Sequence, residues 1–173
     1  MTSASEIEIV DVPVAERAKL DGILEEGFEG WYLRHSRKTL MEAELVRAAI
    51  SSGTPVGLVM LKTLEADMGY VYYIAVARSQ RGKGLGGMLL DDSLRHFEGA
   101  GMKEVYASVE SDNVASEALF RSRGFAKTGF VEVSRKFGPF QAMVLYRKMV
   151  VVPGEILLMK NLAPVSSADS HSL

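Results

Sequence analysis

The sequence has no cysteine among its 173 residues, and that one absence removes several chemistries together. A disulfide framework, a cysteine-ligated zinc and a cysteine nucleophile are all excluded. Histidine is scarce: His35, His96 and His171 stand far apart with no metal-ligand spacing, so no metal is expected. Strong charge is missing as well, with 20 basic and 22 acidic side chains leaving a formal net charge of −2. A dedicated nucleic-acid binder is usually strongly basic, so nucleic acid is not an expected partner. No run of about 18 apolar residues exists to span a membrane. The opening "MTSASEIEIVDVP" has neither the basic region nor the apolar core of a signal peptide. These absences point to a cytoplasmic protein without a membrane partner.

What is present is an ordinary globular composition, 47% hydrophobic and 24% charged. The length suits one domain, expected over residues 1–160, with the small and polar residues 161–173 as a disordered tail. "EIEIVDV" alternates like a strand and stops before Pro13, which opens a helix over "VAERAKLDGILEEGF" with Val14, Ala18 and Leu24 on its buried face. "WYLRHS" reads as irregular and "RKTLMEAELVRAAI" as a second helix, ended by Ser51-Ser52-Gly53. "PVGLVMLKTL" and "YVYYIAVA" pair as an antiparallel hairpin. A helix to about Phe97, the strand "KEVYASVE" and the short helix "NVASEALFRSR" follow. "FAKTGFVEVSRKF" and "QAMVLYRKMV" read as two last strands joined at Gly138-Pro139, and "VVPGEILLMK" adds a short strand or helix. This order predicts an α/β (α+β) fold with a mixed sheet and helices on its faces.

The densest local signal is "RGKGLGGMLLD", residues Arg81 to Asp91, with four glycines in six positions ahead of an apolar run. Glycine weakens a helix or strand, so the cluster serves a backbone purpose. A strand entering a glycine turn and then a helix offers free N–H groups and the positive end of the helix dipole to an anion. Arg78, Arg81 and Lys83 add positive charge beside them. The stretch lacks the G-K-[ST] of a P-loop. Gly82, Gly84 and Gly87 do spell G-x-G-x-x-G, with Glu110 about where a dinucleotide fold places its ribose-binding acid. Yet "ARSQR" separates Val76 from Gly82, and one β-α-β unit follows where that fold has a second half.

Two blocks together decide between these readings. "IAVARSQRGKGLGGMLLD" resembles the acetyl-CoA-binding segment of the GCN5-related N-acetyltransferases, [RQ]-x-x-G-x-[GA], through Arg81, Gly84 and Gly86. "NVASEALFRSRGF" resembles that family's second block through Asn113, Leu119, Phe120, Gly124 and Phe125, with Ser116 where alanine is usual. The resemblance implies a mostly antiparallel central sheet with helices on both faces, and transfer of an acetyl group from acetyl-CoA to a primary amine of a small molecule or a peptide N-terminus. It places pyrophosphate on the amides of Gly82, Lys83, Gly84, Leu85, Gly86 and Gly87, with Arg81 and Lys83 along the phosphates. The pantetheine arm then pairs with the backbone of Ile74, Ala75 and Val76, and Asn113 and Phe120 stand near the acyl end. Amides near Val76 would polarise the thioester carbonyl.

Phe120 departs from the family's usual tyrosine, the proposed acid for the leaving thiolate. A thiol pKa near 8.5 makes that thiolate a tolerable leaving group, and water, Tyr72 or Ser116 are the substitutes. Ser108 stands where related enzymes can have a glutamate or histidine base. Glu110, on the same strand face, and then Tyr72 are the candidate catalytic groups, with His35 a remoter one. Phe28, Trp31, Tyr32, Phe137 and Phe140 would line an acceptor pocket, and Glu25, Glu26 and Glu29 would attract a cationic amine. The missing acid and base also leave open a noncatalytic acyl-CoA-binding or regulatory module, as monomer or homodimer.

Overall fold

The computed structural model describes residues 6–163; residues 1–5 and the expected tail from residue 164 on, His171 included, lie outside it. Seven strands form one sheet: β1 (Ile7–Asp11), β2 (Leu45–Ser51), β3 (Thr54–Glu65), β4 (Met68–Val76), β5 (Glu104–Glu110), β6 (Ala126–Thr128) and β7 (Glu155–Asn161). Their order is β1-β2-β3-β4-β5-β7-β6, and every neighbouring pair is antiparallel except β4 with β5. Six helices cover it: α1 (Asp21–Gly27), α2 (Gly30–Glu42), α3 (Leu85–Gly99), α4 (Val114–Ser122), α5 (Phe130–Phe137) and α6 (Pro139–Met149). Among the described residues no helix is long and apolar enough to cross a membrane.

Strand alternation sorts the core into two layers. On one face Leu85, Leu89, Leu90 and Phe97 of α3 and Phe120 of α4 pack on Val59, Val71, Val105 and Ala107. Gly69 on this face lets the Phe97 ring lie on β4, since a Cβ there would meet the ring at 2.6 Å. On the other face Ile23, Leu24 and Leu40 of α1 and α2 pack on Val46, Leu58 and Met60. Val133, Ala142, Leu145 and Met149 of α5 and α6 cover Tyr70, Tyr106 and Leu157 beside them.

Two departures from the alternating pattern shape the centre. Met60 pairs with Tyr73 but Leu61 with Val71, so Tyr72 is an extra residue, a β-bulge in β4. The bulge turns Tyr72 and Tyr73 to the same face, their rings stacked 6.5 Å apart. The parallel pairing of β4 and β5 covers only Met68–Val71 against Glu104–Ala107, and beyond it the strands part.

Several sequence expectations are corrected. The helix predicted across 37–50 is the end of α2 followed by β2, while "WYLRHS" is helical. Alanines favour a helix locally, but β2 is flanked by β1 and β3, and ladder pairing overrides propensity. The predicted strands 125–137 and 141–150 hold only β6; the rest is α5 and α6. Ala142, Leu145 and Met149 are buried at helical spacing, and Gly138 with Pro139 at the first position of α6 joins two helices. Before α1 the chain runs as a 3-10 helix over Val14–Leu20. Val14 and Ala18 face outward there, and the buried residues are Arg17 and Leu20. Arg17, 4% exposed, donates to the carbonyls of Val12 (3.2 Å), Leu40 (3.1 Å) and Ala43 (2.8 Å). Finally, Asn161 ends β7 and buried Leu162 donates its N–H to Lys103, so the sheet runs past the expected boundary at residue 160.

Candidate functional site

Where β4 and β5 part, a cavity of about 490 Å³ opens between the two layers. Of the sequence-predicted residues, Tyr72, Ile74, Ala75, Val76, Arg81, Gly86, Glu110, Asn113 and Phe120 line it. Antiparallel ladders alternate hydrogen-bonded and non-hydrogen-bonded pairs. The Ala77 N–H donates to Val56 at 2.9 Å, so Ala75 and Tyr73 face β3, whereas Ile74 and Val76 turn their N–H and C=O toward the gap. That exposed backbone is the ladder an extended chain would pair with.

The glycine turn stands at the mouth of the gap. Gly84, the residue before α3, has φ +80°, and Gly82 has φ +75°, conformations that side chains rarely adopt. Lys83 is exposed and reaches only Gln80, at 3.3 Å. Leu85 is buried in the core and offers the site its backbone alone. Gly87 lies under the Arg123 guanidinium, where a Cβ would collide, and Arg123 reaches Asp91 at 3.1 Å to tie α4 to α3. Arg81 donates to the carbonyls of Val76 (3.1 Å) and Glu26 (2.7 Å), fixing the end of β4 to α1.

The α4 residues have structural work too. The Asn113 side-chain oxygen accepts the Ser116 N–H at 3.1 Å, an N-cap. Phe120 is buried, edge-on to Phe125 at 5.1 Å. Ser116 and Ser108 also line the cavity, and Ser108 pairs with the Tyr70 hydroxyl at 2.9 Å.

The far wall differs most from expectation. Phe28, Trp31 and Tyr32 line it, whereas Phe137 packs beneath α5 and α6 and Phe140 is 74% exposed. Glu25, Glu26 and Glu29 are elsewhere: Glu25 pairs with Arg37, and Glu26 accepts the Arg78 N–H. Acidity at the cavity comes from Glu110 and Glu155, which stand opposite each other on β5 and β7. Ser111 donates to Gly154, which makes Glu110 and Glu155 a non-hydrogen-bonded pair, with side chains at the closer of the two cross-strand spacings. The Tyr32 hydroxyl donates to Glu155 at 3.2 Å, and the Val152 N–H caps the other carboxylate oxygen at 3.0 Å. Burial first, then Glu155 and Glu110, push the Tyr32 hydroxyl far above a phenol's usual pKa, so it stays a donor.

Tyr72 and His35 have found partners. The Tyr72 hydroxyl donates to the Lys148 carbonyl at 3.0 Å and accepts from Lys62 at 3.2 Å. His35, stacked on Trp31 at 4.7 Å, meets the Tyr73 hydroxyl at 2.6 Å through Nδ1. Burial lowers the His35 pKa, helped by Lys38 and opposed by Glu155 and Glu42, while burial and then Glu155 raise that of Tyr73. Tyr73 has no signal in the sequence, because strict alternation hides it, and the only local signal of Glu155 is its place at the start of "EILLMK".

Residues 11–125 match the acetyltransferase (GNAT) family. The mycothiol acetyltransferase of Corynebacterium efficiens is 34% identical over 70 residues, 40% of this chain and 24% of that protein. The L-methionine sulfoximine/L-methionine sulfone acetyltransferase of Pseudomonas aeruginosa is 39% identical over 66 residues, 38% of each chain. The matched stretch thus spans about a quarter of the first relative's length and under two fifths of the second's. Among solved structures, IAA acetyltransferase from Bacillus cereus superposes with a TM-score of 0.67 at 20% identity, covering 91% of this chain and 100% of that one. A GNAT family acetyltransferase from Elizabethkingia anophelis with acetyl-CoA bound gives 0.66 at 17%, covering 90% and 98%.

Proposed function

Because the chain belongs to the acetyltransferase (GNAT) family, we propose that it moves an acetyl group from acetyl-CoA directly to a primary amine of a small molecule or a peptide N-terminus. The observation that carries this reading is the gap beside β4, where Ile74 and Val76 turn backbone groups away from the β3 ladder, the Val76 carbonyl held by Arg81, next to a glycine turn that opens α3. Those features fit the donor. The amides from Gly82 to Gly87, with Arg81 and Lys83, would hold the pyrophosphate, and Ile74, Ala75 and Val76 the pantetheine arm. Asn113 and Phe120 would border the acyl end. Acetyl-CoA supplies the acetyl thioester.

This chain's own residues have three tasks. The Phe28, Trp31 and Tyr32 wall receives the acceptor, and the Glu110–Glu155 pair attracts its ammonium. Glu110 then takes a proton from the ammonium, since an amine of pKa near 10 is mostly protonated at neutral pH and must lose a proton to attack. Tyr72 is a weaker candidate, its hydroxyl being bonded on both sides. Phe120 gives no proton to the leaving thiolate, and a thiol of pKa near 8.5 needs none. Relatives named for small acceptors favour a small amine over a peptide.

The test is thiol release from acetyl-CoA across a panel of polyamines, amino acids and N-terminal peptides. Steady release with at least one amine is expected, and a reduced rate in Glu110→Gln. Acetyl-CoA binding without release on any amine would instead favour the noncatalytic module, which Phe120 and Ser108 recommend. A Glu110→Gln rate unchanged across pH would remove Glu110 from the scheme.

A further inference from the structure

Acetylation of an ammonium yields an amide, a thiol and one free proton, so the site must discharge a proton at every turnover. Resting on the acetyl-transfer reading, we infer that the Tyr73 hydroxyl and the His35 imidazole are the route by which this proton leaves the acceptor cavity for a second cavity behind it. That second cavity, about 370 Å³, is bordered by Lys38, Glu42, Glu44 and Lys62, a charged lining open to water. The partition between the two cavities is thin: His35, Tyr72 and Val150 border both. Tyr73 borders the acceptor cavity alone, and His35 Nδ1 lies 2.6 Å from its hydroxyl.

The step balances with both groups neutral at rest. In the Nε2–H tautomer the Tyr73 O–H donates to His35 Nδ1. A proton from the carboxylate end of the cavity passes to the Tyr73 oxygen as the tyrosine's own proton passes to Nδ1, leaving Tyr73 neutral and His35 an imidazolium. Nε2 has no hydrogen-bond partner among the described residues and gives its proton to water in the second cavity. A half-turn of the ring about Cβ–Cγ, which keeps its plane against Trp31, then brings Nδ1–H to the same water. That water takes the Nδ1 proton and returns one to Nε2, so the Nε2–H tautomer is restored with no net proton gained or lost. Tyr72 shares the partition but is barred from this role, because its hydroxyl already donates to the Lys148 carbonyl.

The charges around His35 suit a transient cation. Lys38 and Glu42 come from α2 itself, Lys62 from β3, Tyr72 and Tyr73 from β4, Glu44 from the segment between α2 and β2, and Glu155 from β7. Burial and Lys38 keep the ring neutral at rest, ready to accept, while Glu155 and Glu42 keep the imidazolium accessible. Stacking on Trp31 holds the ring plane.

The test compares His35→Gln, Tyr73→Phe and the double variant on whichever amine the wild type acetylates. Each single variant is expected to lower kcat about tenfold or more at pH 7 with a small change in KM. The double variant should lose no more than either single one, because the two groups act in series. The loss should shrink as pH rises, where the amine arrives unprotonated, and imidazole added to His35→Gln should recover part of the rate. A loss constant across pH, additive in the double variant and unmoved by imidazole would overturn the route and leave acetyl transfer standing. If no amine is acetylated by the wild type, the acetyl-transfer reading falls and takes the route with it.

Discussion

Replacing Arg17 with methionine keeps most of the side-chain volume and removes the guanidinium, and that substitution tests how the acceptor wall is held. Arg17 is 4% exposed and bonds four backbone carbonyls, those of Val12, Leu40, Met41 and Ala43, at 2.8–3.4 Å. It therefore staples the 3-10 helix to the end of β1 and to the end of α2, the helix that carries Trp31, Tyr32 and His35. A hydrogen bond from a charged donor contributes about 1.5–3 kcal/mol, and removing the donor leaves buried acceptors unpaired. Against this, the variant no longer desolvates a cation, which returns several kcal/mol. The net expectation for Arg17→Met is a loss of about 3 kcal/mol. For a chain of this length that lowers Tm by roughly 6–12 °C. Urea unfolding followed by circular dichroism measures it directly. The folded fraction should keep its affinity for acetyl-CoA, whose proposed contacts lie on β4 and the glycine turn, and bind the acceptor less tightly. A loss below about 1 kcal/mol, or a weakening confined to acetyl-CoA, would refute the staple.

Gly69→Ala should cost about 1–3 kcal/mol, because the new methyl meets the Phe97 ring at 2.6 Å and that ring is fully packed; chemical denaturation reads the change. His35 has a folded pKa depressed below its unfolded value of about 6.5, so its contribution is complete above that pH and is lost as pH falls toward the folded pKa. The unfolding midpoint of the wild type should therefore drop more steeply between pH 7 and 5 than that of His35→Gln, and equal slopes would count against burial as the cause. Asn113→Ala should lose about 1 kcal/mol through its helix cap while Asn113→Asp loses less; acetyl-CoA binding impaired in both by calorimetry would assign the amide a ligand contact beyond capping.

The parts of the site legible in the sequence are those that local backbone geometry dictates. The glycine turn announces itself because Gly82 and Gly84 need positive φ, and the block from Asn113 to Phe125 because a cap, a buried ring and Gly124 at φ +87° define a short helix. The β3–β4 hairpin is legible from two apolar stretches, "PVGLVMLKTL" and "YVYYIAVA", joined by the turn "EADMG". What stayed hidden depends on residues distant in the chain. Ala48 and Ala49 of "LVRAAIS" favour a helix until β1 and β3 flank them. "FVEV" alternates like a strand, yet Val133 is the one buried residue of α5, and Gly129 and Gly138 bound a helix. Glu155 joins the site only through the register of β7 on β5, and Tyr73 only through the bulge at Tyr72. Neither fact has a local signature.

The brevity of the β4–β5 pairing has a thermodynamic consequence. Four residues on each strand join a β1–β4 half to a β5–β7–β6 half, and the upper portion of that seam is left without a ladder. On the proposed reading the donor's extended arm takes the place of the missing strand, so cosubstrate and sheet share one cooperative unit. A ligand that binds only the folded chain adds RT ln(1 + [L]/Kd) to its stability. Amides on both sides of the seam should then slow their hydrogen exchange together as acetyl-CoA is added, tying the persistence of the fold to the supply of its own substrate.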